Sequence, residues 1–181
     1  MLIELVVDSI RVHVRNYERV VVLREKDADR YLPIWIGWNE ANAIASRLNE
    51  VTAPRPQTHD LLWNVLAELG ATVSSVVVND MSNDIFYARI HLEQNGRTLE
   101  IDCRPSDAIA LAVRAEVPIY VEAAVLDDHG KTLDATGIVE EGGEGRASRV
   151  TPEELEKLSA FQDFISSLDL DDLGKAKRQE D

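Results

Sequence analysis

The dipeptide Asn95-Gly96 constrains the fold of this chain more than any other feature of its sequence. It separates two runs of alternating apolar and polar residues, 85–93 and 97–103, and Asn-Gly is the strongest short signal for a two-residue β-hairpin loop. If these two residues form the loop, apolar side chains meet on one face of the ladder and charged ones on the other. The apolar pairs are Ala88 with Cys103, Ile90 with Ile101 and Leu92 with Leu99; the charged pairs are Arg89 with Asp102 and His91 with Glu100. The sequence therefore predicts an antiparallel strand pair in one register.

The stretch 99–121 predicts a strand, a polar corner, a helix and a second strand. Pro105 ends the first strand, because proline has no N–H for a ladder and its fixed φ suits the first turn of a helix. The corner holds Asp102, Arg104, Ser106 and Asp107. Backbone donors and the helix dipole favour anions at such a place, so the corner is a candidate binding site. Ser106 and Asp107 are equally typical of ordinary helix capping.

The remaining elements alternate between short strands and helices. Three or four strands are expected within residues 2–36, and helices are expected over 40–48 and 59–69. An apolar stripe on the second helix predicts its core face, and Trp35 and Trp63 are also expected in the core. The stripe consists of Leu61, Leu62, Val65, Leu66 and Leu69. The hairpin argues against a doubly wound parallel sheet.

The acidic charge of the chain limits its partners. The formal net charge is −14, and residues 1–130 alone carry 12 Lys and Arg against 20 Asp and Glu. Non-specific nucleic-acid binding usually needs a basic face, because phosphate contacts supply most of the affinity. Any basic site on this chain must therefore be local.

Cysteine content and hydropathy predict the cellular compartment of the protein. The single cysteine, Cys103, excludes a disulfide framework. We expect no signal peptide and no membrane span, because the apolar start of the chain is too short and contains Glu4. A cytoplasmic protein is the expectation.

The composition of the chain predicts three segments. Residues 1–130 form one domain, residues 131–150 a flexible acidic linker rich in glycine, and residues 151–181 an amphipathic helix with a frayed tail. Thr151-Pro152-Glu153-Glu154 has the pattern of a capping box with proline at the first helical position.

Three stretches, taken together, carry a family resemblance. They are YLPIWIGWNEANAIA (31–45), PRPQTHDLL (54–62) and IDCRPSDAIALAVRAEVPIYV (101–121). Their order and spacing resemble the bifunctional nuclease domain family, to which both DNase and RNase activity is ascribed. The resemblance implies an α+β fold, a mostly antiparallel β-sheet with helices packed around it. It also implies a DNA or RNA substrate and assembly as a homodimer or small homo-oligomer.

The polar residues of these stretches are the candidate site. Metal-free nucleases use histidine as acid or base and arginine to hold phosphate, whereas metal-dependent ones gather carboxylates around a divalent ion. On this basis His59, Asp60 and Asp107 are the candidate catalytic residues, and Arg55, Arg104 and Ser106 the candidate substrate-binding residues. Glu40 and Asp102 are candidate ligands for Mg²⁺ or Mn²⁺.

A structural interpretation of the same residues is also open. The arginines can pair with carboxylates such as Asp60 or Asp107, and His59 and Asp60 can cap a helix. The chain would then be a non-catalytic binding or regulatory module. Convergence of these side chains on an open pocket favours the nuclease, and buried ion pairs favour the module.

Overall fold

A seven-stranded sheet forms the centre of the protein. The structure is a computed structural model and describes residues 1–12 and 18–132. The strands are β1 (Leu2–Val12), β2 (Arg19–Glu25), β3 (Tyr31–Ile36), β4 (Ala71–Ser82), β5 (Ile85–Gln94), β6 (Arg97–Cys103) and β7 (Ile119–Glu122). Their order across the sheet is β3-β2-β1-β7-β4-β5-β6. Every neighbouring pair is antiparallel except β4 with β7.

Four helices pack around this sheet, so the predicted α+β fold is confirmed. They are α1 (Trp38–Leu48), α2 (Thr58–Glu68), α3 (Pro105–Ala115) and α4 (Ala123–His129). Helix α3 lies on β4 and β5 and is contacted by α1 and α2. Its small side chains allow close packing, and residues 108–112 are almost completely buried. The central position of α3 brings the starts of three helices together.

The predicted hairpin is confirmed in its register, with one correction to its charged pairs. Arg89 lies opposite Asp102 in the ladder, as expected. Its guanidinium, however, donates to Glu100 at 2.7 Å. Glu100 is the diagonal neighbour of Arg89 on the same face of the ladder and lies within reach of its long side chain. The backbone register therefore did not determine which carboxylate pairs with Arg89.

The predicted core face of α2 is wrong. Leu61, Val65 and Leu69 are 58%, 43% and 66% exposed, and the buried residue of this helix is His59. Trp35 and Trp63 are also exposed rather than core. Helix α2 lies beside α3 at the edge of the helical layer, so most of its stripe has no cover among the described residues.

Two further predictions from the sequence concern membrane-spanning helices and the C-terminal segments. Within residues 1–12 and 18–132, no helix has the length and apolar character that spanning a bilayer requires. The linker expected over 131–150 lies outside the described residues except for its first two positions, and the helix expected over 151–181 lies wholly outside them.

Candidate active site

Three helix N-termini meet around one guanidinium group. Arg104 is the N-cap residue of α3 and Asp107 lies in its first turn. Glu40 lies in the first turn of α1, and His59 in the first turn of α2. We call Glu40, His59, Arg104 and Asp107 the Arg104 cluster. Chain positions 40, 59 and 104–107 are distant in sequence, so only the packing of α1 and α2 against α3 assembles this cluster.

Arg104 is the exposed centre of this cluster. Its Nε and Nη2 donate to the two carboxylate oxygens of Asp107 at 2.7 and 3.0 Å, and its Nη1 lies 3.0 Å from Oε1 of Glu40. These contacts occupy three of the five guanidinium N–H groups. The side chain is 65% exposed, so the other two N–H groups can serve a ligand such as phosphate.

Gly37 makes room for the Glu40 carboxylate. It is the N-cap residue of α1, and a Cβ atom at this position would collide with Oε2 of Glu40. This role of Gly37 was not among the predictions from the sequence. A glycine placed three residues before a first-turn glutamate was the signal that could have revealed its role at the site.

His59 and Asp107 form a second link in the cluster. The Nε2 atom of His59 lies 3.1 Å from Oδ1 of Asp107, and the His59 side chain is 11% exposed. Burial raises the pKa of the Asp107 carboxyl, but hydrogen bonds from Arg104 and His59 outweigh it and leave that pKa below its usual value. An ionised Asp107 favours the tautomer in which Nε2 of His59 donates. Nδ1 is then the basic nitrogen of the ring.

The charges of the cluster nearly cancel. With His59 neutral, Arg104 offsets one of the two carboxylates, Glu40 and Asp107, which leaves one negative charge. Each helix N-terminus contributes about half a positive charge, and three of them converge here. The cluster is therefore able to accept an anionic group beside Arg104, which an isolated carboxylate pair would repel.

Asp60 is held in a different network from its neighbour His59. Its carboxylate accepts from the Gln57 backbone N–H at 2.8 Å and from Nε of Arg114 at 2.6 Å. Arg114, whose side chain is 4% exposed, also donates to the carbonyls of Ala43 and Ala110 at 3.1 and 2.8 Å. Arg114 lies in the last turn of α3, about 10 Å along the axis from Asp107. The sequence analysis missed it, although a lone arginine within an alanine-rich helix is the signal for a buried cation with a partner.

The acid stability of the protein should depend on these two carboxylates. The hydrogen bonds from Gln57 and Arg114 hold the pKa of Asp60 below 3.8, against the effect of burial, and Asp107 is shifted in the same direction. A carboxyl whose folded pKa is depressed contributes its full stability above the unfolded pKa and loses it as the pH falls through the folded pKa. We therefore expect the free energy of unfolding to fall below about pH 4.

Urea unfolding at about pH 7, 4 and 3 measures this loss. Asp60→Asn should be less stable than the wild type near pH 7, yet should lose less free energy between pH 4 and 3. An equal loss in both proteins would contradict the assignment.

The other predicted residues lie around the cluster or away from it. Ser106 is buried and, with Arg104, lines one cavity; Asp102 lines another cavity together with Arg104 and Asp107. Arg55 lines a third cavity on the side of Asp60 and Arg114. The structure thus brings together His59, Asp107, Arg104 and Glu40, with Ser106 and Asp102 at the edge. It does not bring Asp60 or Arg55 to them.

The arrangement of the carboxylates bears on the predicted metal ligands, Glu40 and Asp102. Within residues 1–12 and 18–132, no group of three or more His, Cys, Asp and Glu side chains is placed to hold a metal ion. Glu40, a candidate ligand, has a guanidinium at 3.0 Å, where a cation would be repelled. The predicted roles of Glu40 and Asp102 toward Mg²⁺ or Mn²⁺ stay predictions.

Comparisons with known proteins identify the family. The family model of the bifunctional nuclease domain matches residues 21–134. An uncharacterized protein of Mycobacterium tuberculosis is 41% identical over 163 residues, which cover 90% of this chain and 94% of that protein.

Plant relatives match a smaller share of their own length. Bifunctional nuclease 1 of Oryza sativa is 28% identical over 117 residues, 63% of this chain and 35% of that protein. Bifunctional nuclease 2 of Arabidopsis thaliana is 25% identical over 140 residues, 75% of this chain and 40% of that protein. The family model and the mycobacterial relative together show that this chain belongs to the bifunctional nuclease domain family.

Proposed function

We propose that this protein is a nuclease that hydrolyses phosphodiester bonds of DNA and RNA with little sequence preference. The observation that carries the proposal is the Arg104 cluster, in which an exposed guanidinium is bonded to a carboxylate that also holds a buried histidine. The relatives named bifunctional nucleases support the class of reaction. Sequence preference is not expected, because arginine binds phosphate and reads no base in doing so.

Each member of the cluster has a role in this proposal. Arg104 binds a non-bridging phosphate oxygen and offsets the charge that grows on the phosphorane. Nδ1 of His59 takes a proton from the attacking water, and Asp107 stabilises the imidazolium that forms. The imidazolium then returns its proton to the leaving oxygen. Glu40 fixes the guanidinium of Arg104 from its other side.

A cleavage assay with an arginine variant tests the proposal. Arg104→Ala should lower the cleavage rate of labelled single-stranded and double-stranded substrates by at least about tenfold, because it removes the phosphate ligand. Arg89→Ala is the matched control, since Arg89 also makes a 2.7 Å ion pair with a carboxylate and is about half exposed. Equal activity of wild type and Arg104→Ala would reject the proposal. Parallel lanes with EDTA, Mg²⁺ and Mn²⁺ determine metal dependence.

The ion pairing of the site residues favours a second candidate function. Asp60, Asp107 and Glu40 each have an arginine partner in the structure, as a purely structural cluster would. The chain would then be a non-catalytic binding or regulatory module, with assembly as a homodimer or small homo-oligomer through its exposed apolar side chains. Absence of cleavage by the wild type under all metal conditions would favour this function, and light scattering would report the assembly state.

A further inference from the structure

A cavity of about 820 Å³ extends from the Arg104 cluster across β2 and β3. Its apolar lining residues include Val20, Val22, Ile34 and Ile36. Cations and aromatic rings lie along it. We call this cavity the basic groove and define it by Arg11, Trp35, Phe86, Arg104, His129 and Lys131. Arg104 and Ser106 belong both to the groove and to the predicted site, so the two are continuous.

The groove differs in charge from the rest of the protein. Among its described lining residues Arg11, Arg104 and Lys131 are cationic and Asp84 is the one acid, while Arg104 is also paired with Glu40 and Asp107 behind the lining. Arg11 donates from Nε to Oγ of Ser9 at 3.1 Å, and its Nη2 lies 3.9 Å from Oδ2 of Asp8. In a chain of net charge −14, this lining is locally more basic than the chain as a whole.

The other large cavity of the described residues has no such excess. It has about 780 Å³ and is lined by three arginines and three acids. Four of these six are paired with each other, Arg47 with Glu116 and Arg114 with Asp60. An anionic ligand is therefore favoured in the basic groove.

The groove continues past the cluster on its other side. Ile85, Phe86 and Arg104 also line a smaller cavity of about 540 Å³, which contains Asp102 and Asp107. Arg104 thus borders both depressions. A polymer that passes Arg104 can occupy both of them, whereas a mononucleotide would fill only one.

We propose that the basic groove binds single-stranded nucleic acid. Its phosphates lie near Arg11, Arg104 and Lys131, and its bases stack on the rings of Trp35 and Phe86. Trp35 is 52% exposed, and the Phe86 ring is held edge-on by His129 at 5.8 Å. Base stacking on aromatic side chains accepts any base. The biological role of this binding rests on the proposed nuclease function, but the binding itself can be measured in the absence of cleavage.

A duplex is the poorer ligand for physical reasons. Its bases already stack on each other, so it cannot use the apolar lining residues or the aromatic rings. It would bind through phosphate contacts alone, and three cations in an acidic protein supply little affinity at physiological salt. A single strand adds base stacking to the same contacts.

Fluorescence anisotropy of the full chain tests the inference. The probes are a labelled oligothymidylate of roughly twelve nucleotides and its duplex with oligoadenylate, both in EDTA. We expect the single strand to bind at least about tenfold more tightly than the duplex, and log K to fall with log salt with a slope of about −2 for three phosphates. Equal or tighter binding of the duplex would overturn the inference.

A pair of tryptophan variants locates the binding surface. Trp35→Ala should weaken single-strand binding by about fivefold or more, while Trp63→Ala on α2, outside the groove, should leave it unchanged. Trp35→Phe keeps a ring and should retain binding but lose the quenching of tryptophan fluorescence by the oligonucleotide. Equal effects of Trp35→Ala and Trp63→Ala, or unchanged quenching in Trp35→Phe, would overturn the inference. If the protein binds the single strand but does not cleave it, the proposed nuclease function is rejected and the binding site is kept. If Trp35→Ala cleaves the strand as fast as the wild type, binding in the basic groove is rejected and the nuclease function is kept.

Discussion

His59→Gln is expected to lower kcat for nucleic-acid cleavage by roughly 10²- to 10⁴-fold, the usual contribution of a positioned acid–base group. Glutamine is similar in size to histidine and can still donate to Asp107, so the hydrogen bond at 3.1 Å has a replacement. What glutamine lacks is a nitrogen that takes and returns a proton near neutral pH. Initial rates on a labelled strand, at saturating substrate, measure the effect.

A second histidine provides the matched control. His91 on β5 also bonds through its ring, with Nδ1 at 3.2 Å from Oγ of Ser75, and it is not part of the Arg104 cluster. His91→Gln should keep wild-type activity. If His59→Gln cleaves at the same rate as the wild type, the catalytic groups lie elsewhere in the protein or the activity comes from a contaminating enzyme.

The roles of Asp107 and His59 are separable by combining variants. If Asp107 acts through His59, then Asp107→Asn together with His59→Gln should cost little more than His59→Gln alone, because groups that act as a unit are not additive. Independent roles would instead multiply the two losses. Urea unfolding of each variant checks that reduced rates do not reflect unfolded protein.

Local patterns predicted the parts of the fold in which the determinants lie close together in sequence. The hairpin register follows from Asn95-Gly96 and the alternation around it, and the start of α3 follows from Pro105. The pairing of Arg104 with Asp107 is equally local, since three residues separate them at a helix start. In these cases a short segment contains all the information that its structure needs.

Local sequence patterns did not predict the contacts between helices. Periodicity gave α2 an apolar face but did not show what would cover it, and most of that face is exposed. Arg55 seemed a suitable partner for Asp60, yet the partner is Arg114, 54 residues away. The ion-pair partners of long side chains depend on how the helices pack against each other, so these pairs cannot be predicted from a short segment of sequence.

His59 and Asp60 connect the stability of the protein to its candidate site. They are adjacent on α2 and bond to opposite ends of α3, His59 to Asp107 and Asp60 to Arg114. The Asp60 contact fixes the position of α2 along α3, and with it the position of the imidazole. If the protein is the proposed nuclease, we expect Asp60 to act as a positioning residue, although it lies outside the Arg104 cluster.

Asp60→Leu is expected to lower the free energy of unfolding by about 1.5–3 kcal/mol, because it leaves the buried guanidinium of Arg114 without its counter-charge, while the Asp60 side of the pair is 36% exposed. The Arg114 side chain is 4% exposed, and its two carbonyl partners do not neutralise it. Urea unfolding near pH 7 measures the loss. Glu100→Leu, which breaks the exposed ion pair with Arg89, should cost no more than about 1 kcal/mol.

The double variant Asp60→Leu with Arg114→Leu distinguishes a buried charge from lost packing. Removing both partners abolishes the unpaired cation, so the double variant should be more stable than Asp60→Leu alone, as apolar replacements of buried ion pairs often are. A double variant that is less stable than Asp60→Leu would show that the packing of the Arg114 side chain, and not its charge, holds α2 against α3.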